Sequence, residues 1–400
     1  MPLSSAVRGT AWMWIVFCVL NTARIGLSVD TRQHFRVHAN HTKDFTRASS
    51  YTQLRPPDSI LHSLAERKDN TSIPACGVLQ EQNDFVGKFY VDDEGHLSYE
   101  PDACNLRRLT MQQARQCLDS RHIVFLGDSL TRYQYLSLVY FLSKGHYMER
   151  YGGGSSPSLC LEKEWDSWQH FYREGPTILS NATDAEAHEG CDCVKSGWKQ
   201  HKEREFRDFT LYGYNKETAD DILDTGSITV SYAQVFATPT FETAGQLFLE
   251  LYLEQLPLRY QKLPDSVVFN TGLWGLPAVA LLSPVQQLAI FLGIAKIGTQ
   301  FHQKRNPHTR LIWKTITVSA QNEAEPDMEN LNEAGSKAFA TDGNWDIMDA
   351  RIITQAAKNQ GLNLYWDQMH FLPFVYEELN DVLLNMLCSP ENVFVERSLS

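Results

Sequence analysis

The chain has 400 residues, of which 43% are hydrophobic and 21% are charged, and its formal net charge is -12. This composition is that of an ordinary globular protein and argues against a disordered chain. The charges are spread along the sequence, so no basic stripe is formed that could neutralise nucleic-acid phosphates. The composition therefore argues against nucleic-acid binding and favours a neutral or cationic partner.

The N-terminus carries the pattern of an export signal. Arg8 precedes an uninterrupted apolar run over residues 11–20. This run is about half of the roughly 20 residues that a membrane-spanning helix needs, so its length favours a cleaved signal peptide over a signal anchor within 1–27. The alternative is an apolar segment of a cytosolic core. Three Asn-x-Ser/Thr sequons agree with a luminal or extracellular location, and they lie at Asn40, Asn70 and Asn181.

Seven of the eight cysteines lie outside the apolar segment. In an oxidising lumen they predict disulfides and one spare thiol, with the connectivity left open. Two of them follow His188 closely enough to suggest a zinc site, but no second pair of ligands follows at zinc spacing. Disulfides are therefore the better interpretation, and no metal is expected. The seven are Cys76, Cys104, Cys117, Cys160, Cys191, Cys193 and Cys388.

Composition divides the chain into a leader, a linker and one large domain. Residues 28–73 are polar, show no hydrophobic period and contain a Pro-Pro pair, which is typical of a stalk or linker. A single catalytic domain is expected over 74–400. It begins with a cysteine-bearing block over 74–118, whose final helix is announced by Thr110 with a glutamine three residues later. A long insertion is expected over 144–208, which is rich in Gly, Trp, His and Glu.

Short apolar runs alternate with longer amphipathic segments beyond this block. The alternation predicts an α/β fold in which right-handed crossovers build a doubly wound parallel sheet with helices on both faces. Strands are expected over 122–126, 228–236, 266–270, 311–316 and 362–365, and helices over 131–143, 243–256, 284–304, 346–360 and 374–387. Ligands of such sheets bind beyond the carboxyl ends of the strands, so residues that end a strand are the first candidates for function.

The first of these strands ends in Gly127-Asp128-Ser129, and a helix begins directly afterwards. A serine at a strand-to-helix turn can turn its hydroxyl to solvent, and its main-chain amide lies at a helix N-terminus, where negative charge is stabilised. This position suits a nucleophile. The alternative is that Ser129 only caps the helix.

An acid and a base, Asp367 and His370, follow the last predicted strand. Their spacing lets the carboxylate reach Nδ1 of the imidazole while Nε2 faces a serine, which is the arrangement of a Ser-His-Asp triad. The alternative is an exposed surface pair. Because both motifs end predicted strands, we expect the Ser129 hydroxyl and the His370 ring within hydrogen-bond reach, with Asp367 behind the ring.

A third motif ends the strand predicted over 266–270. The amide of Asn270 can donate to an oxyanion at this edge of the sheet, and Gly272 allows close approach of the backbone. The alternative is an asparagine in an ordinary turn. The candidates for oxyanion or substrate binding are Gly127, Asp128, Arg132, Asn270 and Gly272.

Several of these motifs together resemble one known family. GDSLTRYQYLSL over 127–138 looks like the signature of the trichome-birefringence-like, or PC-esterase, family within the GDSL/SGNH superfamily. VFNTGLW over 268–274 and DQMHFLP over 367–373 resemble its Asn-bearing and Asp-x-x-His blocks. GKFY over 87–90 and PDACNL over 101–106 resemble its N-terminal cysteine-rich block. The likeness extends from Cys76 to Cys388.

The resemblance implies an SGNH-type, flavodoxin-like fold and the transfer or removal of O-acetyl groups on polysaccharides or glycans. It implies Ser129 as the acyl carrier in a triad with His370 and Asp367, an acetyl donor as co-substrate and no bound cofactor. Family members are often type II Golgi membrane proteins with a luminal catalytic domain, so a Golgi or secreted location is expected. The chain departs from the family pattern after His370, where Phe371 and Leu372 replace a Trp-Cys pair, and at Lys314, which replaces an arginine.

Our leading hypothesis is a double-displacement O-acetyltransferase in which Ser129 carries the acetyl group and His370 activates a sugar hydroxyl as the acceptor. The alternatives are an esterase that uses water with the same triad, and a non-catalytic glycan-binding or scaffold protein. We further expect Cys76, Cys104 and Cys117 to form disulfides that fasten the N-terminal block to the catalytic domain.

Overall fold

A computed structural model describes residues 76, 85–91, 96–147, 187–191, 206–212, 226–234, 263–270, 282–305, 307–320, 325–365 and 370–388. All of them belong to the unit Gln53–Ser400. Within these ranges no helix is both long and apolar enough to cross a membrane. The expectations for residues 1–27 and 28–73 and for the helix over 243–256 lie outside the described residues. So do Asn40, Asn70, Asn181, Cys160, Cys193, Gly272, Asp367 and the side chain of Cys191.

The described residues form nine strands and six helices. In chain order the strands are β1 Gly87–Val91, β2 Leu97–Pro101, β3 His122–Gly127, β4 Ala187–Cys191, β5 Phe206–Tyr212, β6 Ser227–Gln234, β7 Ser266–Phe269, β8 Arg310–Lys314 and β9 Trp345–Met348. The helices are α1 Met111–Cys117, α2 Ser129–Lys144, α3 Pro284–Arg305, α4 Glu325–Asp342, α5 Ala350–Asn359 and α6 Pro373–Leu387.

Seven strands form one sheet in the order β4-β5-β6-β3-β7-β8-β9. The neighbours from β6 to β9 run parallel, whereas β5 runs antiparallel to both β4 and β6. Strand β4 lies within the segment predicted as an insertion, and β5 begins in it. This part of the chain therefore widens the parallel sheet by two antiparallel strands.

The apolar residues of β3 alternate between two cores, as expected for a strand with both faces covered. Ile123 and Phe125 pack into a core with α2, α5 and α6, whereas Val124 and Leu126 pack into a core with α3 and α4. All four side chains are fully buried, and burial of each contributes about 1.5–3 kcal/mol to the free energy of unfolding. The predicted α/β class, with a mostly parallel sheet flanked by helices, is confirmed.

Helix α2 is buried along residues 129–143 because it packs against β3 and β6 on one side and against α6 on another. The helix ends at Gly145, whose φ of 85° lies in the left-handed region that favours glycine. A helix held on several sides gives its first residue, Ser129, a fixed position.

The N-terminal block packs as a small separate sheet and a short helix. Strands β1 and β2 pair as an antiparallel hairpin. The predicted capping box begins α1, since Thr110 Oγ1 accepts a bond from Gln113 N and Gln113 Oε1 accepts one from Thr110 N. Two disulfides hold this block: Cys76 pairs with Cys104, and Cys117 pairs with Cys388 across 271 residues. All three cysteines thus form disulfides, but only Cys117–Cys388 fastens the block to the rest of the domain, since Cys76–Cys104 lies within the block.

The secondary structure predicted for the C-terminal part of the chain was wrong in several places. The last strand of the sheet is β9, which lies at the start of the helix predicted over 346–360, and α5 begins only after Asp349 caps it. The strand predicted over 362–365 is absent from the described structure: Tyr365 makes one isolated bridge to Phe371, and Leu372 N donates to Leu364 O. Helix α4 was not predicted.

Candidate active site

The turn between β3 and α2 is closed tightly around Gly127. A Cβ atom at this position would lie 2.7 Å from Thr131 Cβ and closer still to Thr131 Oγ1, so the turn admits no side chain there. The hydroxyl of Tyr232 donates to both Gly127 O and Asp128 O, at 3.2 Å each. Gly127 thus shapes the turn, and its predicted part in oxyanion or substrate binding stays a prediction.

Asp128 is the N-cap of α2. Its Oδ1 accepts bonds from Leu130 N at 3.1 Å and Thr131 N at 3.2 Å, which satisfies two of the main-chain N–H groups that a helix start leaves without partners. Asp128 therefore has a capping role, and its predicted contact with oxyanion or substrate stays a prediction. Since Asp128 caps the helix, Ser129 occupies the first helical position, and the alternative that Ser129 serves as the cap is wrong.

The structure brings Ser129 and His370 together. Ser129 Oγ lies 3.0 Å from His370 Nε2, although 241 residues separate them in the chain. The two residues are 5% and 8% exposed, so the hydrogen bond is largely shielded from water. For Nε2 to accept the serine proton, Nδ1 must carry the ring hydrogen. This is the arrangement in which a histidine can activate a serine hydroxyl.

Two tyrosines that the sequence analysis did not identify hold His370 in this orientation. The Tyr133 ring meets the imidazole edge to face, with centroids 4.9 Å apart and planes at 84°. The Tyr376 hydroxyl accepts a bond from Phe371 N at 3.2 Å, directly after His370. Tyr133 follows Ser129 by four residues and so lies on the same side of α2, a spacing from which its contact with the site could have been predicted.

Two predicted members of the site, Asp367 and Gly272, lie outside the described residues, and their proposed parts stay predictions. Tyr365 and Phe371 form an isolated antiparallel bridge, and their rings stack at 5.0 Å.

Asn270 does not present its amide as an oxyanion donor. Its Nδ2 donates to Lys314 O at 2.8 Å and to Thr315 O at 3.3 Å. An amide nitrogen carries two hydrogens, and both contacts direct them to main-chain oxygens at the end of β8. The predicted oxyanion contact is therefore corrected: the side chain of Asn270 ties the end of β7 to the end of β8.

Arg132 was predicted to contact oxyanion or substrate, but its side chain is 0% exposed. The guanidinium carbon lies 5.0 Å from the centroid of the Tyr133 ring, and Tyr133 in turn contacts His370. Arg132 thus packs beside a ring that contacts the base, and its predicted contact with oxyanion or substrate stays a prediction.

A buried lysine lies at the same edge of the sheet. Lys314 ends β8, is 1% exposed, and donates from Nζ to Gln134 Oε1 of α2 at 2.9 Å. Burial lowers the pKa of Lys314 to about 8, and the Asp128 carboxylate opposes this shift. Elsewhere, no three His, Cys, Asp or Glu side chains gather to hold a metal ion in the part of the chain that the structure describes.

A scan against protein-family models finds no match for this chain, and a search of curated proteins finds no matching relative.

Proposed function

We propose that this protein is a serine acyl-transfer enzyme that moves an acetyl group through Ser129 to a hydroxyl of a polysaccharide or glycan. The observation that carries the proposal is the 3.0 Å contact between Ser129 Oγ and His370 Nε2 at the start of α2. A serine at a helix N-terminus beside a histidine combines a nucleophile, a base and a site that favours negative charge.

In the first half of the reaction, His370 Nε2 accepts the proton from Ser129 Oγ as the oxygen attacks the acetyl carbonyl. The tetrahedral oxyanion gains a bond from the main-chain N–H of Ser129, since the first N–H groups of a helix have no partner within it. When the bond between the carbonyl carbon and the leaving oxygen or sulfur breaks, the leaving group takes the proton from His370. An acetyl ester on Ser129 is formed.

In the second half, His370 accepts a proton from the acceptor hydroxyl, whose oxygen attacks the acetyl-serine. Collapse of the second oxyanion returns the proton to Ser129 Oγ and leaves the acetyl ester on the acceptor. If water enters instead, acetate is released and the protein is an esterase. Asp367 is proposed as the residue that fixes the histidine tautomer.

The proposed substrate class, the proposed SGNH-type fold and the proposed luminal Golgi or secreted location rest on the family resemblance of the motifs around Ser129, Asn270 and His370. The isolated bridge between Tyr365 and Phe371 supports the proposed role of His370 as the base, because it constrains the main chain directly after His370.

The fold offers a matched control for testing the nucleophile. Ser231 Oγ lies 2.8 Å from His122 Nε2 in the interior, so a second buried serine makes the same kind of contact. Hydrolysis of 4-nitrophenyl acetate by the full chain is expected to fall to background in Ser129→Ala and to persist in Ser231→Ala, with unchanged circular dichroism in both.

Full activity in Ser129→Ala would contradict the proposal. An unmodified chain that binds glycans but neither transfers nor hydrolyses acetyl groups would replace it with the glycan-binding or scaffold function.

A further inference from the structure

Lys314 is a buried charge that the proposed reaction does not use. An ammonium group loses most of its favourable hydration when it is buried, so buried lysines are usually paired with a carboxylate. Lys314 is 1% exposed, yet the acceptor of its Nζ is the neutral oxygen of Gln134. Among the described residues, no carboxylate lies within ion-pair distance of it. Such an arrangement beside a candidate active site calls for a functional explanation.

The contacts of Lys314 connect it to the helix that begins with Ser129. Gln134 lies on α2, and its main-chain oxygen accepts a bond from Asn380 Nδ2 of α6 at 3.1 Å. On the other side, Lys314 O accepts the bond from Asn270 Nδ2. Lys314 thus joins the ends of β7 and β8 to the second turn of α2.

The charge of Lys314 also acts on the start of that helix. The carboxylate of Asp128, which caps α2, interacts with the ammonium group electrostatically. The two charges offset each other next to Ser129. Asp128 is also stabilised by the N–H groups that it caps, but the ammonium reduces its negative charge further, and without the ammonium that charge would oppose the oxyanion more strongly.

We propose that Lys314 is a positioning residue for Ser129: its buried ammonium group fixes α2 through Gln134 and offsets the charge of Asp128, so that the hydroxyl of Ser129 is held towards His370 and the oxyanion is not repelled. This inference rests on the proposed acyl-transfer function of Ser129.

The inference predicts a pH dependence whose sign follows from burial. The lowered pKa of Lys314, about 8, means that the ammonium is present at neutral pH and is lost as the pH rises through this value. Asp128, before α2, is the charged group that acts on the Lys314 ammonium electrostatically, and it favours the charged form. Turnover should therefore decline above about pH 8.

The test compares kcat and KM of the full chain with 4-nitrophenyl acetate from about pH 7 to about pH 10. Lys314→Met removes the charge and keeps the length of the side chain, whereas Lys314→Arg keeps the charge throughout this range. Lys358→Met is the matched control, because Lys358 Nζ donates to Ser319 O at 3.1 Å beyond the same strand but is only partly buried.

At pH 7, Lys314→Met is expected to lower kcat by about tenfold to a hundredfold with little change in KM. Lys314→Arg should lose the alkaline decline when its profile is normalised to its own value at pH 7, and Lys358→Met should keep the profile of the unmodified chain. The normalised profile of Lys314→Arg decides the matter even if Lys314→Met does not fold.

An alkaline decline in Lys314→Arg identical to that of the unmodified chain would overturn the inference and leave the proposed function intact. An unmodified chain with no esterase or transfer activity at any pH would instead overturn the proposed function, and the inference with it.

Discussion

The described residues include two buried serine–histidine pairs with similar hydrogen bonds, one on strands β3 and β6 and the other at the start of α2. Ser231 and His122 meet at 2.8 Å, and Ser129 and His370 meet at 3.0 Å. His122 begins β3, whereas Ser129 follows its carboxyl end and opens a helix. The hydrogen bond alone therefore does not make a nucleophile; the helix N-terminus at the functional edge of the sheet distinguishes Ser129.

Asn270 offers a test of what its amide does. Since Nδ2 bonds to Lys314 O and Thr315 O, Asn270→Ala is expected to leave two buried carbonyls without their donor and to lower the free energy of unfolding by about 1–3 kcal/mol. Urea unfolding of the variant measures this loss.

An unchanged unfolding midpoint for Asn270→Ala, with kcat reduced by about 10²–10³, would show instead that the amide serves the oxyanion. A change in the unfolding midpoint thus indicates a structural role for the amide, whereas a change in kcat alone indicates a role in catalysis.

The hydroxyl of Tyr376 is expected to affect the position of His370 rather than the stability of the fold. Tyr376→Phe keeps the ring and removes the acceptor of Phe371 N, so the main chain beside His370 loses a fixed position. We expect kcat to fall roughly tenfold with KM nearly unchanged in steady-state kinetics. A variant with unaltered kcat would exclude Tyr376 from positioning His370.

At the scale of elements, helix α6 contacts the N-terminal block and also supports the candidate active site. Arg108, from the segment after β2, donates to Glu378 at 2.7 Å and to Asp381. Glu378 Oε2 also accepts a bond from Tyr99 N in β2 at 2.9 Å. These contacts and the Cys117–Cys388 disulfide fix the helix that begins three residues after His370.

Removing the arginine should leave three buried carboxylates, those of Glu100, Glu378 and Asp381, without this cation. Arg108→Met is therefore expected to lower the free energy of unfolding by about 3 kcal/mol at neutral pH. Burial already raises the pKa of the Asp381 carboxyl, and the Arg108 charge opposes this rise. Without Arg108 the folded state binds a proton more tightly, so the loss of stability should shrink as the pH falls.

Urea unfolding at neutral and mildly acidic pH checks this expectation. Arg351→Met is the control, because Arg351 pairs at 3.8 Å with Glu329, whose side chain is 72% exposed, and such surface pairs contribute about 0–1 kcal/mol. Equal losses for the two variants, or a loss for Arg108→Met that grows on acidification, would contradict the account of this network.

At the scale of the whole molecule, the sequence correctly predicted those elements whose local pattern fits only one kind of secondary structure. The apolar run of β3, the turn after it and the capping box of α1 were all predicted correctly. The region 345–365 was misassigned because β9 is only four residues long and is followed at once by an amphipathic helix, so the helical period extended over the strand.

The contacts that position the site were harder to predict. Ser129 and His370 could be chosen because each type of residue suggests its chemistry. Three features depend on tertiary contacts between residues far apart in the chain, which no sequence spacing predicts. They are the burial of Lys314, the hydrogen bonds of Asn270 and the contact of Tyr376 beside His370. Asp367 and Gly272 stay predictions from the sequence.

The central claim, that Ser129 carries the acyl group, is tested most directly by peptide mass spectrometry. The full chain would be incubated with 4-nitrophenyl acetate, quenched in acid and digested, with Ser129→Ala treated in parallel. The account predicts one acetyl group on Ser129 that disappears on adding a sugar acceptor or on longer exposure to water. An unmodified Ser129 peptide during turnover, or acetylation at another residue that also persists in Ser129→Ala, would contradict it.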